Sequence, residues 1–246
     1  MKRFIFGQKN GIHIIDLAKT LMQLRAALQV VQKIVQEHRS ILFVGTKKAA
    51  KIVIRECAEK CGEFYVCERW LGGELTNHPT IRKSVKKLER IEKRIAAGGE
   101  GLTKKEISLM TKEQIKLDKN LSGVRAMRKL PGLLIVVDPG KEDIAVKEAK
   151  KLNIPVMALV DTNCNPDLID YVIPCNDDAQ RSVKIILEVL TQAIIEKKNE
   201  MHFFDEKGEE VIVEEGVTDE IVAGEEVVEE EVVSQEAEWT AEKGDM

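Results

Sequence analysis

Lys83, Lys86, Lys87, Arg90 and Arg94 fall at i, i+3, i+4, i+7 and i+11, with Arg82 beside them, a spacing that lines cations along one side of a helix. A row of ammonium and guanidinium groups neutralises successive phosphates and releases the counterions condensed on a nucleic-acid backbone. That is the chemistry of holding a polyanion, not of breaking bonds. The bland alternative is a solvated helix face. Such faces mix signs at four-residue spacing, whereas seven cations between Arg82 and Arg94 stand beside only Glu89 and Glu92.

Charge elsewhere sharpens the contrast. The chain of 246 residues holds 38 Lys+Arg and 42 Asp+Glu. Residues His78 to Leu130 hold 15 basic and 6 acidic residues, a net +9, while Met201 to Met246 holds 17 acidic and 2 basic residues. A basic block on a near-neutral body is the footprint of a nucleic-acid contact. The acidic end, with Glu225-Glu226-Val227-Val228-Glu229-Glu230-Glu231, is low-complexity and is expected to be a disordered tail, one that shields the basic block before assembly or repels misplaced RNA.

Other residues could join the contact. In Arg69-Trp70-Leu71-Gly72-Gly73-Glu74-Leu75-Thr76-Asn77, Arg69 offers a fork for phosphate and Trp70 a flat face, either for stacking on a base or for packing under the basic block. Gly45-Thr46-Lys47-Lys48 follows an apolar run as a phosphate loop would, but no G-x-x-x-x-G-K-[ST] and no G-x-G-x-x-G after a strand is present. His13, His38, His78 and His202 lack metal-ligand spacing, and no nucleophile elbow occurs, so no catalytic residue, cofactor or metal is assigned. Asp138, Asp143 and Asp161 could gather as a metal site but read more simply as caps of helices and loops. The odd number of cysteines, Cys57, Cys61, Cys67, Cys164 and Cys175, without C-x-x-C, reads as reduced structural thiols, a zinc site on Cys57 and Cys61 being the weaker alternative.

These groups need a scaffold. Leu17, Leu21, Leu24, Leu28, Val31 and Val35 predict an amphipathic helix capped by Asp16. Short apolar runs at Ile41 to Val44, Phe64 to Val66, Leu133 to Val137, Pro155 to Val160 and Tyr171 to Ile173 predict five strands. Helices over Lys47 to Cys61, ended by Gly62, over Glu142 to Leu152, and after Asp177-Asp178, with Val183, Ile186, Leu187, Leu190 and Ile194 on one face, alternate with them. Strands apolar on both faces and interleaved with helices imply a doubly wound α/β domain on a five-stranded parallel sheet. The loops leaving the carboxyl ends of its strands, Lys47 and Lys48 among them, form its working edge.

The basic block interrupts this pattern. Ile81, Val85, Leu88, Ile91 and Ile95, then Ile107, Met110, Leu117, Leu121 and Val124, follow heptad-like steps around a break at Gly98-Gly99 and a capping-box signature at Thr103 and Glu106. A coiled-coil hairpin projecting roughly 25 to 35 Å follows at 1.5 Å per residue. The expected domains are thus residues 1–77 and 131–200 for the sheet, 78–130 for the hairpin and 201–246 for the tail.

Asn10-Gly11-Ile12-His13-Ile14-Ile15-Asp16-Leu17, Ile41 to Lys48, Arg69-Trp70-Leu71-Gly72-Gly73 with Leu75-Thr76-Asn77, Ile81-Arg82-Lys83-Ser84, Val160-Asp161-Thr162-Asn163-Cys164 and Asn176-Asp177-Asp178-Ala179 resemble, in order, the signature segments of the ribosomal protein S-two family of the small subunit. The resemblance covers about residues 9 to 195. It implies a flavodoxin-like sheet with a bacterial-type hairpin, docked on ribosomal RNA and helping to hold neighbouring small-subunit proteins, among them the multi-repeat S-one protein. The family's backbone contacts carry over onto Arg82, Lys83, Lys86, Lys87 and Arg90.

Departures from the family's pattern are few. A His-Phe-Gly-His run normally precedes the part matching Phe4 to Gly7, so the chain reads as truncated or started late. Asn165, Cys175 and Gly132 stand where Asp, Gly and Asp are common, and Cys175 either takes φ < 0 or bears some strain. The expected function is a non-catalytic constituent of the cytoplasmic small ribosomal subunit, with rRNA contacts at Arg82, Lys83, Lys86, Lys87, Arg90, Arg94, Arg69, Trp70, Asn77, Lys47 and Lys48, and with no membrane partner. A nucleotide-binding α/β enzyme is the alternative, as is a coiled-coil module for acidic proteins.

Overall fold

The computed structural model describes residues 1–97 and 103–201. Met1–Lys198 form one compact unit, and of the second, Asn199–Met246, only 199–201 are described. The Gly98-Gly99 break and the acidic segment from 202 onward lie outside the described residues.

Five parallel strands make the central sheet: β3 (Ile41–Val44), β4 (Phe64–Val66), β5 (Leu133–Val137), β6 (Val156–Val160) and β7 (Tyr171–Pro174), in the order β4-β3-β5-β6-β7. Each strand matches a predicted apolar run to within a residue. Every side chain of β3, β5 and β6 is buried, as a sheet covered on both faces requires. The order reverses between β3 and β5, which pair Leu42 with Leu134 and Val44 with Val136. This is the doubly wound arrangement, with its switch point at the carboxyl ends of β3 and β5.

Helices cover the sheet. In α1 (Leu17–Gln36), Asp16 caps as predicted, accepting from the Ala18 N–H at 3.1 Å and the Lys19 N–H at 3.4 Å. The apolar stripe of α1 is only half used: Val31 and Val35 are buried, yet Leu17 is 77% and Leu21 50% exposed. Helix α2 (Lys51–Cys61) starts later than Lys47, because residues 47–50 form a turn closed by the Ala50 N–H on the Lys47 carbonyl, and it ends at left-handed Gly62. Helix α5 (Asp143–Lys151) and helix α6, described over 180–201, follow, and all five predicted apolar residues of α6 are buried. Asp177 and Asp178 do not open α6. Asn176 Oδ1 accepts from the Asp178 N–H at 2.9 Å and the Ala179 N–H at 3.2 Å, and Asp177 is buried elsewhere.

An element without a predicted counterpart precedes the sheet. β1 (Ile5–Lys9) and β2 (Ile12–Ile15) form an antiparallel hairpin around Asn10-Gly11, whose φ values of 51° and 79° match a two-residue turn with positive φ at both central positions. Cys175 lies outside the positive-φ residues, in agreement with its side chain.

The insert forms α3 (His78–Ala96) and α4 (Lys104–Leu121), which pack on one another, α4 starting on the predicted Thr103/Glu106 capping box. Helices of 19 and 18 residues are about 27 to 28 Å long at 1.5 Å per residue. Their base is continuous with the sheet's core: Ile81 and Val85 of α3 and Leu121, Val124 and Met127 after the return share one apolar cluster with Leu42, Val44, Leu134 and Val136. At Gly123 the returning chain meets edge strand β4 so closely that a Cβ would lie 2.1 Å from the Tyr65 carbonyl oxygen.

Candidate nucleic-acid interface

Helix α3 owes its orientation to its apolar residues. Ile81, Val85, Leu88 and Ile91 are buried, so the opposite side faces outward, and Lys83, Lys86, Lys87, Arg90 and Arg94 are exposed on it. Arg82 lies half-buried at the flank, its guanidinium donating to the Arg125 carbonyl at 2.7 Å.

The two acids of α3 are drawn away from this face. Glu92 takes the Arg125 fork, with Nη1 to Oε1 at 3.0 Å and Nη2 on Oε2, and Glu89 lies 4.0 Å from Arg125 Nε. Lys87 meets Glu113 of α4, whereas Lys83 and Lys86 have no ion pair among the described residues. The outward face is therefore positive with little internal compensation.

The loop that aims α3 hangs on one carboxylate. Glu148 of α5 accepts at Oε1 from Trp70 Nε1 (3.1 Å) and the Gly73 N–H (2.7 Å), and at Oε2 from the Leu75 N–H (3.1 Å), the Thr76 N–H (3.0 Å) and the Thr76 hydroxyl (3.0 Å). Burial opposes its charge, but the bonds from Thr76, Gly73 and Trp70 outweigh burial and lower its pKa. Nearby Glu74 is also buried. Its Oε2 accepts from the Leu71 N–H at 3.0 Å, and burial, reinforced by the charge of Glu148, pushes its pKa up to about 8. Trp70 is itself buried at 7% exposure, packed at the hairpin's base, while Arg69 and Asn77 are exposed, Asn77 Oδ1 accepting from the Thr80 hydroxyl at 2.8 Å.

At the switch point, where a nucleotide would enter a sheet of this kind, the protein's own side chains meet. Lys47 Nζ lies 2.6 Å from Asp177 Oδ1, 2.5 Å from Asp178 Oδ1 and 3.4 Å from Asp138 Oδ2, and Thr46 donates its N–H and hydroxyl to Glu142 Oε1 at 2.8 and 2.5 Å. Burial disfavours the Lys47 charge, but the bonds to Asp177 and Asp178 prevail and raise its pKa. The carboxylates of Asp161, Asp177 and Asp178 converge within 4.8 Å, and the buried Asp177 has its pKa raised. Asp143 stands apart, paired with Lys147 at 2.7 Å. Lys47 is thus the counter-ion of an acidic pocket, and Lys48 beside it is exposed. All five cysteines are free and buried, with the Cys61 thiol donating to the Cys57 carbonyl at 3.1 Å.

A second surface is apolar. Ile14, Leu17, Leu21, Leu24, Pro174 and Ile185 line a groove of about 560 Å³ between β2, α1 and α6. It is where the unburied half of the α1 stripe lies.

A family model described as ribosomal protein S2 matches residues 1–197. The chain belongs to the ribosomal protein S2 family. A small ribosomal subunit protein uS2 of Protochlamydia amoebophila is 70% identical over 210 residues, covering 85% of this chain and 77% of the relative. Proteins of the same name from Chlamydia trachomatis and Chlamydia pneumoniae are 60% and 57% identical over 201 residues, 82% of this chain and 71% and 73% of theirs.

Within this S2-family chain, Glu148 holds the loop before α3 and Arg125 holds Glu89 and Glu92, yet neither belongs to the cation pattern that the sequence displays. A signal for Glu148 exists: it falls between Ala145 and Ala149 on the inward face of α5, an acid where an apolar residue is expected. Arg125 carries no such mark, since its role depends on the return of α4 to the base of α3.

Proposed function

We propose that the chain is a non-catalytic constituent of the small ribosomal subunit in the bacterial cytoplasm, holding ribosomal RNA through the outward face of α3 and the adjoining loop. The single observation behind this reading is the charge separation on α3, where Glu89 and Glu92 turn to Arg125 and leave the lysine and arginine side compensated among the described residues only at Lys87, by Glu113. Membership of the S2 family supports the same conclusion.

Lys83, Lys86, Lys87, Arg90 and Arg94 make the phosphate contacts, with Arg69, Asn77 and Lys48 exposed to extend them. Arg82, Trp70 and Lys47 serve the scaffold that holds these groups in place. A stiff basic helix suits readout of A-form RNA by shape and backbone. The sheet and its apolar groove support neighbouring small-subunit proteins, the S-one protein among them. A nucleotide-binding enzyme is disfavoured, because phosphate would meet the carboxylates already gathered around Lys47 at the switch point.

The test is sedimentation of the tagged chain in cell extract. It is expected to travel with small subunits, and Glu at Lys83, Lys86, Arg90 and Arg94 is expected to return it to the free pool. Unchanged occupancy by the charge-reversed variant would overturn the proposal.

A further inference from the structure

Helix α4 carries a cation row of its own. Lys105, Lys112 and Lys116 stand at i, i+7 and i+11, within about 40° of one another at about 100° per residue. All three are exposed and have no ion pair among the described residues. The acids of α4 lie off this row: Glu106 closes the capping box, Glu113 meets Lys87, and Asp118 is more than 120° away around the helix. Lys119 continues the row but is 3.5 Å from Glu68.

The apolar residues turned toward α3, among them Met110, Leu117 and Leu121, centre about 140° from this row. On α3 the buried residues likewise lie opposite the outward cations. Since α3 and α4 pack through these seams, their two basic faces point in opposite directions. Leu109 and Ile115, 57% and 63% exposed, flank the α4 row on either side.

We infer that α4 forms a second, separate contact with an RNA backbone, so that the helix pair is a spacer with one RNA segment along each side. This rests on the proposed RNA contact of α3 and adds to it a second segment. Two helices side by side, each 10 to 12 Å across with side chains, hold those segments roughly 20 to 24 Å apart. RNA is favoured over an acidic protein because the row is all lysine, without the acids that interdigitate with a charged protein partner, and continues a contact of one chemistry around the insert.

The test uses the full chain and purified small-subunit ribosomal RNA. Gln at Lys105, Lys112 and Lys116 leaves folding intact, as none of the three has an ion pair among the described residues, and is expected to lower the log–log salt slope by roughly 2 to 2.7, at 0.7 to 0.9 per phosphate. An iron chelate tethered through Lys112→Cys is expected to cleave a different RNA segment from one tethered through Lys83→Cys, the five native cysteines being buried. A slope lowered by the α3 variant but not by the α4 variant overturns this inference and leaves the proposed function standing. Cleavage of a single common segment from both positions also overturns it. Loss of binding that appears only when other ribosomal proteins are present assigns the face to an acidic protein instead, and a slope unmoved by either variant removes both proposals.

Discussion

The Trp70 indole N–H and the Glu148 carboxylate meet at 3.1 Å across 78 residues of sequence, tying the loop before α3 to helix α5. The same carboxylate takes four further bonds from Gly73, Leu75 and Thr76, so one side chain of α5 fixes the loop from which α3 departs.

Glu148→Ala is therefore expected to cost about 3 to 5 kcal/mol, because it strands buried donors rather than removing one contact. Glu148→Gln retains one oxygen but turns an amide toward donors, and is expected to lose about half as much. Denaturant unfolding measures both. Equal stability of Glu148→Ala and the parent would show that the loop does not hang on this residue.

Glu74 predicts a pH dependence. Its carboxyl is raised to about 8 from 4.5, chiefly by burial, so the folded chain keeps a proton that the unfolded chain releases. The contribution is full below pH 4.5 and is lost as pH rises toward 8, an amount on the order of 5 kcal/mol. Glu74→Gln keeps an acceptor for the Leu71 N–H and is expected to flatten this decline. Parallel melting curves for the two proteins between pH 5 and pH 8, checked as Tm at each pH, would contradict it.

The outward cations of α3 are expected to act additively on RNA affinity. Gln at Lys83, Lys86, Arg90 and Arg94 lowers the salt slope by roughly 3 to 3.5 while leaving thermal stability within a degree or two, since exposed charges contribute little to folding. Filter binding at several salt concentrations reads the slope.

Gly123→Ala places a methyl 2.1 Å from the Tyr65 carbonyl oxygen, a backbone atom that moves only with strand β4. A loss of about 2 to 3 kcal/mol is expected. A Tm unchanged by this substitution would mean that the return of α4 sits farther from the sheet edge.

Most of the architecture was written in short-range pattern. Runs such as Leu133 to Val137 are apolar at every position because both faces are covered, and the Thr103/Glu106 box declares its helix start within four residues. What escaped depended on distant partners. Leu17 and Leu21 keep helical spacing with Leu24 and Leu28, and periodicity cannot tell a stripe that meets the core from one that lines an open groove. Lys47 and Asp177, 130 residues apart, reveal their bond only once the sheet brings their loops together. The exposed cation row on α3 was legible because helical spacing is local; the silencing of Glu89 and Glu92 by Arg125 was not.

Ile81, Val85, Leu121, Val124 and Met127 sink the root of the helix pair into the same cluster as Leu42 and Leu134. A beam set in masonry that way has no pivot. Torque applied at its far end passes to the wall, so the rods cannot turn without carrying the body along or tearing the joint.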